Sequence, residues 1–248
     1  MADNSKRFSN RVDDYIKYRP HYPAGLIDFL SQKIGFSKND IIADIGSGTG
    51  ISSQLFLANN NTVFGVEPNA EMRTAAELQL SAYKNFISIN GTAETTNLAN
   101  QSVDVIFCGQ AFHWFDKEKS KFEFNRILKP NGHIVIVWNT RSLNSSFQKA
   151  YEEVLQQTLK EYQKVTHRNI DEAEIARFFV PKTIIKGVLP NYQDFDLDGL
   201  KGRVLSSSYC PKEGAEHDNL MAGLEKIFND FSQNGIVRFE YETEIFCC

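Results

Sequence analysis

The run Ile41-Ile42-Ala43-Asp44-Ile45-Gly46-Ser47-Gly48-Thr49-Gly50 decides the fold class of this chain. Its first three residues read as a short apolar strand. Ile51 to Ala58 then reads as a helix that buries Leu55 and Phe56. The glycines therefore sit where a strand turns into a helix, and they let the backbone bend tightly and approach a ligand closely. The crevice beyond the carboxyl ends of parallel strands is the usual ligand site of such sheets. The dinucleotide fingerprint wants a further glycine three positions after Gly48, and that position is Ile51. Asp44 would repel a pyrophosphate, whereas it suits a ligand that carries a cation.

Outward from this turn, strands and helices alternate. Thr62–Val66, Phe86–Ile89, Val103–Cys108 and His133–Trp138 read as strands. Ala70–Leu80 and Lys117–Leu128 read as helices, the second stopped by Pro130 and Gly132. Upstream, Leu26, Ile27, Phe29 and Leu30 form the buried side of a helix that Gly35 ends. This alternation predicts βαβ units and a parallel sheet with helices on both faces. Past Trp138, Phe147, Tyr151, Val154, Leu155 and Leu159 recur at helical spacing. Leu220–Phe231 reads as another helix, and Thr183–Leu189 and Ile236–Phe246 as late strands.

Two further features mark the carboxyl ends of the strands. Glu67 ends the second strand, where a carboxylate can accept both hydroxyls of a ribose, and Pro68 fixes the chain direction behind it. Gly91-Thr92-Ala93-Glu94 follows the third strand, where the edge of a base could be held.

The charge balance is acidic, with 27 basic and 31 acidic side chains for a formal net charge of -4. It offers no broad positive field for a nucleic-acid backbone. The start of the chain does not read as a secretory signal, and no apolar run is long enough to span a bilayer. We therefore expect a soluble protein of the cytoplasm. The cysteines Cys108, Cys210, Cys247 and Cys248 form no zinc pattern and no disulfide framework, so free thiols are expected. Cys108 reads as core packing, and the adjacent Cys247-Cys248 pair could crosslink chains in air. No metal site is expected.

Taken together, these motifs resemble the class I S-adenosylmethionine-dependent methyltransferases. More narrowly, they resemble the small-molecule branch with trans-aconitate-like and ubiquinone-biosynthesis-like enzymes. Asp44 to Gly50 is similar to the glycine-rich signature, Val66-Glu67-Pro68-Asn69 to the ribose-binding strand end, and Gly91 to Glu94 to the adenine loop. Many members hold an aspartate where Thr92 stands, a departure that leaves the Ala93 backbone and Glu94 as partners to test. Gln110-Ala111-Phe112-His113-Trp114-Phe115-Asp116 resembles the end of the branch's fourth strand, and Leu128-Lys129-Pro130-Asn131-Gly132-His133 the turn into its fifth. The likeness covers residues 8–141 and returns at Leu205-Ser206-Ser207-Ser208-Tyr209.

The resemblance implies one domain over residues 1–248. It implies an α/β, Rossmann-like, seven-stranded and mostly parallel sheet, its last strand antiparallel, with helices on both faces and a small helical cap. Residues 1–22 would form a lid, and residues 141–235 a cap-forming insertion with the late sheet elements. The expected cofactor is S-adenosylmethionine, which carries an ammonium and a sulfonium. Its expected partners are Tyr18, Arg19, Asp44, Gly46, Ser47, Gly48, Gly50, Glu67, Pro68, Thr92, Ala93, Glu94 and Gln110. Arg19 would pair with the cofactor carboxylate or with Asp44. Tyr15, Phe112, His113, Trp114, Arg141 and Tyr209 would hold a small-molecule acceptor. His113 is the candidate general base, since histidine titrates near neutrality. An aromatic face such as Trp114 favours a nearby sulfonium.

Methyl transfer would go to an oxygen or nitrogen by direct in-line displacement. Arg19 and Arg141 could each offer a fork to a carboxylate. Three other readings stay open on the sequence: an RNA methyltransferase, a nicotinamide-dependent reductase and a non-catalytic cofactor-binding module. The oligomeric state is not legible.

Overall fold

In a computed structural model of the chain, residues 17–160, 162, 172–207 and 209–248 are described. Tyr15 and most of the expected lid lie outside them. The strands β1 (Ile41–Ile45), β2 (Thr62–Val66), β3 (Phe86–Ile89), β4 (Val103–Gly109) and β5 (Leu128–Arg141) run parallel. β6 (Ile185–Phe195) and β7 (Val237–Cys247) complete one seven-stranded sheet in the order β3-β2-β1-β4-β5-β7-β6. β7 is antiparallel to both of its neighbours. The order reverses between β1 and β4, and a crevice opens at such a switch point.

Alternating side chains supply two cores, one on each face of the sheet. Ile42, Val105, Phe107, Val135 and Val137 meet Leu26 and Leu30 of α1 (Gly25–Ile34) and Phe56 and Leu57 of α2 (Ile51–Ala58). Ala43, Ile45, Ile106, Cys108, Ile134 and Ile136 face the other way. There they meet Phe124 and Ile127 of α4 (Lys117–Ile127) and Phe178 and Phe179 of α6 (Glu172–Phe179). Between α2 and α4 in the chain, α3 (Ala70–Gln79) buries Met72, Ala75 and Ala76. Period-2 strands buried on both faces read as near-continuous apolar runs, which is why the sequence exposes them so clearly.

A third core forms the cap. Phe147, Tyr151 and Leu155 of α5 (Ser146–Thr158) pack with Leu200 and Val204 of α7 (Leu197–Leu205) and Leu220 and Leu224 of α8 (Ala215–Phe231). Phe195, Phe239 and Tyr241 join them, so the long strands β6 and β7 extend out of the sheet to carry the cap. Residues 141–235 thus divide: α5, α7 and α8 build the cap, while α6 covers the sheet.

Two strand boundaries and the placement of one cysteine pair differ from the sequence expectation. β5 begins at Leu128, not His133, because Leu128 pairs with Val103 before a register shift lets His133 pair with Val105. Pro130, Asn131 and Gly132 occupy that irregularity, a place where proline and glycine are tolerated. β6 continues through Pro190 to Phe195 because it is the edge strand, where a missing N–H costs little. The Cys247-Cys248 pair is folded against the sheet at 0% and 8% exposure, so it offers no surface sulfur for crosslinking. Burial pushes the Cys247 thiol up to about 11.

Candidate functional site

The glycine turn is fastened to the tip of β2. The N–H groups of Gly46 and Ser47 both donate to the Val66 carbonyl, at 2.8 and 3.2 Å. Gly48 has φ +55°, and a Cβ there would meet no atom within 4 Å. Its missing side chain is therefore open space, a cradle that a ligand can enter. Gly50, at φ +86°, plays another part: a Cβ would lie 2.6 Å from Leu80 Cδ1. It lets α2 pack on the segment after α3, and it does not line the cavity.

Glu67 is the keystone of this end. Its Oε2 accepts from the Gly48 N–H at 3.0 Å and its Oε1 from the Asn69 N–H at 2.9 Å. Burial raises its pKa, opposed by those two amides and by the charge of Arg73. A carboxylate has about four acceptor positions, so lone pairs remain for hydroxyls of a ligand. Asn69 in turn caps α3 by accepting from the Met72 N–H at 3.0 Å.

Asp44 is placed differently from the expectation. It is fully buried behind the turn, where Oδ2 accepts from the hydroxyls of Ser52 and Ser53 at 2.7 and 2.6 Å. Its Oδ1 is buried without a partner among the described residues. Desolvation pushes its pKa up to about 6 against the pull of the two serines, and Glu67 adds to the rise. Asp44 ties β1 to the start of α2 through Ser52 and Ser53, is not among the residues lining the cavity, and makes no ion pair with Arg19.

The adenine-loop candidates line the cavity, each with a structural task. Thr92 Oγ1 accepts from the Thr95 N–H at 3.2 Å. Glu94 Oε1 accepts from the Asp116 N–H at 2.8 Å and fastens the start of α4. Ala93 is buried between them. Gln110 adopts φ +58° at the end of β4 and donates through Nε2 to the Asn139 carbonyl at 3.1 Å.

These residues share one cavity of about 440 Å³, a size suited to a small molecule. Its lining brings together Arg19, Gly46, Ser47, Gly48, Glu67, Pro68, Thr92, Ala93, Glu94, Gln110, His113, Trp114, Arg141 and Tyr209. Phe112 is a correction. At 1% exposure it sits in the core, 4.9 Å from the Phe178 ring, because the three-residue 3-10 turn Phe112–Trp114 turns it inward. His113 and Trp114 are left facing out, their ring centroids 4.4 Å apart. Tyr18 is a second correction: its ring covers Gly202 of the cap, where any Cβ would clash with it, and it does not line the cavity.

Arg141 does line the cavity, with its charge already met. Nη2 lies 2.5 Å from Glu152 Oε2 and 3.0 Å from the Tyr162 hydroxyl, and the guanidinium stacks 4.7 Å from the Tyr151 ring centroid. Arg19 reaches the cap through Nη2, which donates to the Ser206 carbonyl at 3.0 Å. The sequence reading missed Tyr22, Met72, Trp138, Tyr162 and Arg203, all of them in the lining. No local signal marks Arg203: no helix is expected at Leu197–Leu205 from the sequence, and its hydrogen-bond partner Tyr241 lies in β7. Among the described residues, no group of three or more His, Cys, Asp or Glu is placed to hold a metal, and no helix is long and apolar enough to cross a membrane.

Residues 43–136 match the family described as "Methyltransferase domain". An uncharacterised methyltransferase-like protein of Schizosaccharomyces pombe is 34% identical over 137 residues, 55% of this chain and 52% of that protein. An uncharacterised methyltransferase of Mycobacterium bovis is 33% identical over 139 residues, 56% of this chain and 54% of that protein. The chain spans about half the length of the curated relatives it matches. Among solved structures, a protein of Anaeromyxobacter dehalogenans, provisionally described as a type II methyltransferase, superposes with a TM-score of 0.70. It is 18% identical, and the superposition covers 93% of this chain and 97% of that one. The seven-stranded sheet with helices on both faces is thus the Rossmann-like methyltransferase fold, and residues 43–136 carry the likeness of a class I methyltransferase domain.

Proposed function

We propose that this protein is an S-adenosylmethionine-dependent methyltransferase whose acceptor is an oxygen or nitrogen of a small metabolite, working in the cytoplasm. The observation that carries the proposal is the single cavity joining the glycine turn and Glu67 to the side chains of the cap. The cradle at Gly48 and the spare lone pairs of Glu67 fit a ribose-bearing ligand without phosphates.

The cofactor would supply an electrophilic methyl group on a sulfonium. Glu67 would accept the ribose hydroxyls, the Gly46–Gly48 backbone would flank the amino-acid portion, and Thr92, Ala93 and Glu94 would flank the base. Arg19 would face the cofactor carboxylate. Trp114, Trp138 and Tyr209 would exclude water and fix the acceptor, and positioning of this kind can supply much of the rate. His113 would take a proton only from an acceptor that needs deprotonation.

Calorimetry with S-adenosylhomocysteine and NADH tests the cofactor assignment, and tight NADH binding without S-adenosylhomocysteine binding would overturn it. Radiolabelled methyl donor offered to pooled cell metabolites and to bulk tRNA tests the acceptor. Methylation of tRNA alone would defeat the small-molecule assignment.

A further inference from the structure

Arg203 stands in the last turn of α7 and lines the cavity from the cap. Its Nε donates to the Tyr241 hydroxyl at 3.3 Å, and that hydroxyl donates to Gln193 Oε1 at 3.0 Å. The relay holds the guanidinium by one edge. Its two terminal nitrogens make no hydrogen bond to a described residue, and among the described residues no carboxylate lies within 4 Å of it. Arg141, on the same cavity, differs in this respect, being paired with Glu152. The two carboxylates in the lining, Glu67 and Glu94, are each held by a backbone amide, Glu67 by that of Gly48 in the glycine turn and Glu94 by that of Asp116 before α4.

A guanidinium taken largely out of water without a counter-charge is costly. The carboxyl end of α7 offsets part of that cost, but a helix end supplies only about half a unit charge. No described residue supplies the remainder, and the open edge of the guanidinium borders the cavity, where an anionic ligand could supply it. The free edge of a guanidinium matches a planar carboxylate bidentately, and its one positive charge is balanced by the one negative charge of a carboxylate.

We infer that Arg203 is the anion receptor of the acceptor pocket, and that the acceptor is a small carboxylic acid whose carboxylate lies against its terminal nitrogens. This assignment rests on the methyltransferase reading of the cavity. It also moves the carboxylate fork from Arg141, which Glu152 occupies, to a residue of the cap.

The test is calorimetry on the intact chain saturated with S-adenosylhomocysteine. The probes are benzoate, phenylacetate and cinnamate, each against its primary amide, with phenyl phosphate alongside. At least one acid should bind about tenfold or more tightly than its amide, the scale of charge-assisted hydrogen bonds. Arg203→Met should abolish that preference and Arg203→Lys should keep part of it. Both should bind S-adenosylhomocysteine within about twofold of the parent chain, which also serves as the check that they fold. Acids that bind no better than their amides, including none binding at all, would overturn the inference. So would a preference that survives in Arg203→Met, or phenyl phosphate binding more tightly than every acid. The comparison in the parent chain does not depend on either variant folding. Loss of S-adenosylhomocysteine binding in the parent chain would instead sink the methyltransferase reading.

Discussion

The two ends of the cavity are built in opposite ways. At the glycine turn the wall is largely backbone, drawn from β1, β2 and the loops that follow them, with Gly48 tied to Glu67, 19 residues on. At the cap the wall is side chains, with Tyr162, Arg203 and Tyr209 joining Arg141 in the lining from later in the chain. The first arrangement fixes a ligand by shape and amide dipoles and admits little variation. The second can change its charges and rings without disturbing the sheet, so it is the natural place for specificity to reside.

If that contrast holds, substitutions at the turn should cost the most. Gly48→Val should lower S-adenosylhomocysteine affinity by about 100-fold or more. Its φ of +55° disfavours a branched residue, and the new side chain would fill the open cradle. A variant that keeps its circular dichroism and binds normally would remove the turn from the site.

Asp44, just behind the turn, should reveal itself through pH. Its carboxyl is pushed up to about 6 in the folded chain from an ordinary 3.8, so ionisation destabilises the fold. The penalty is absent below the ordinary value, grows as pH rises between the two, and is complete above the folded one. Asp44→Asn can still accept from both serines and should remove a stability difference on the order of 3 kcal/mol between pH 4 and pH 7. Glu67, raised in the same sense, will leave some slope behind. Urea midpoints across that range, parent minus variant, are the measurement, and parallel profiles would refute the account.

Glu67→Ala should weaken S-adenosylhomocysteine binding by roughly 1–3 kcal/mol. The loss combines a missing ribose partner with release of the Gly48 and Asn69 amides. Unchanged affinity by calorimetry would show that Glu67 serves the turn alone. At the acceptor end the smallest effect is expected from His113→Gln. An ionised carboxylate is already a nucleophile, so an acid acceptor should leave most of the turnover and little pH dependence to lose. A large loss that follows a near-neutral pKa would point to a phenol or amine instead.

What was legible in the sequence follows the same divide. The turn and the strands up to β5 declare themselves through glycine spacing and local apolar runs. Asp44 sits at the strand tip before the glycine turn, where a carboxylate suits a cationic ligand, yet the two serines of α2 claim it. Phe112 was assigned to the pocket with His113 and Trp114 because a run of ring-bearing residues gives no sign of which one the short turn folds inward. Arg203 was invisible as a site residue because its partner Tyr241 lies 38 positions away, across a helix and into the final strand. Pro190 hid half of β6, since only the edge position makes a proline acceptable in a strand.

The chain has only two tryptophans, Trp114 and Trp138, and both border the cavity. Trp138 is buried at 6% exposure beside Gln110, while Trp114 is 37% exposed at the rim. Every photon of indole emission from this protein therefore originates at the place where ligands would sit, one fluorophore shielded and the other wet. Filling the cavity should shift the emission of Trp114 to shorter wavelength while leaving that of Trp138 nearly in place. Replacing Trp138 with Phe would isolate the responsive outer signal, so the occupancy of the cavity can be followed in real time without attaching a dye.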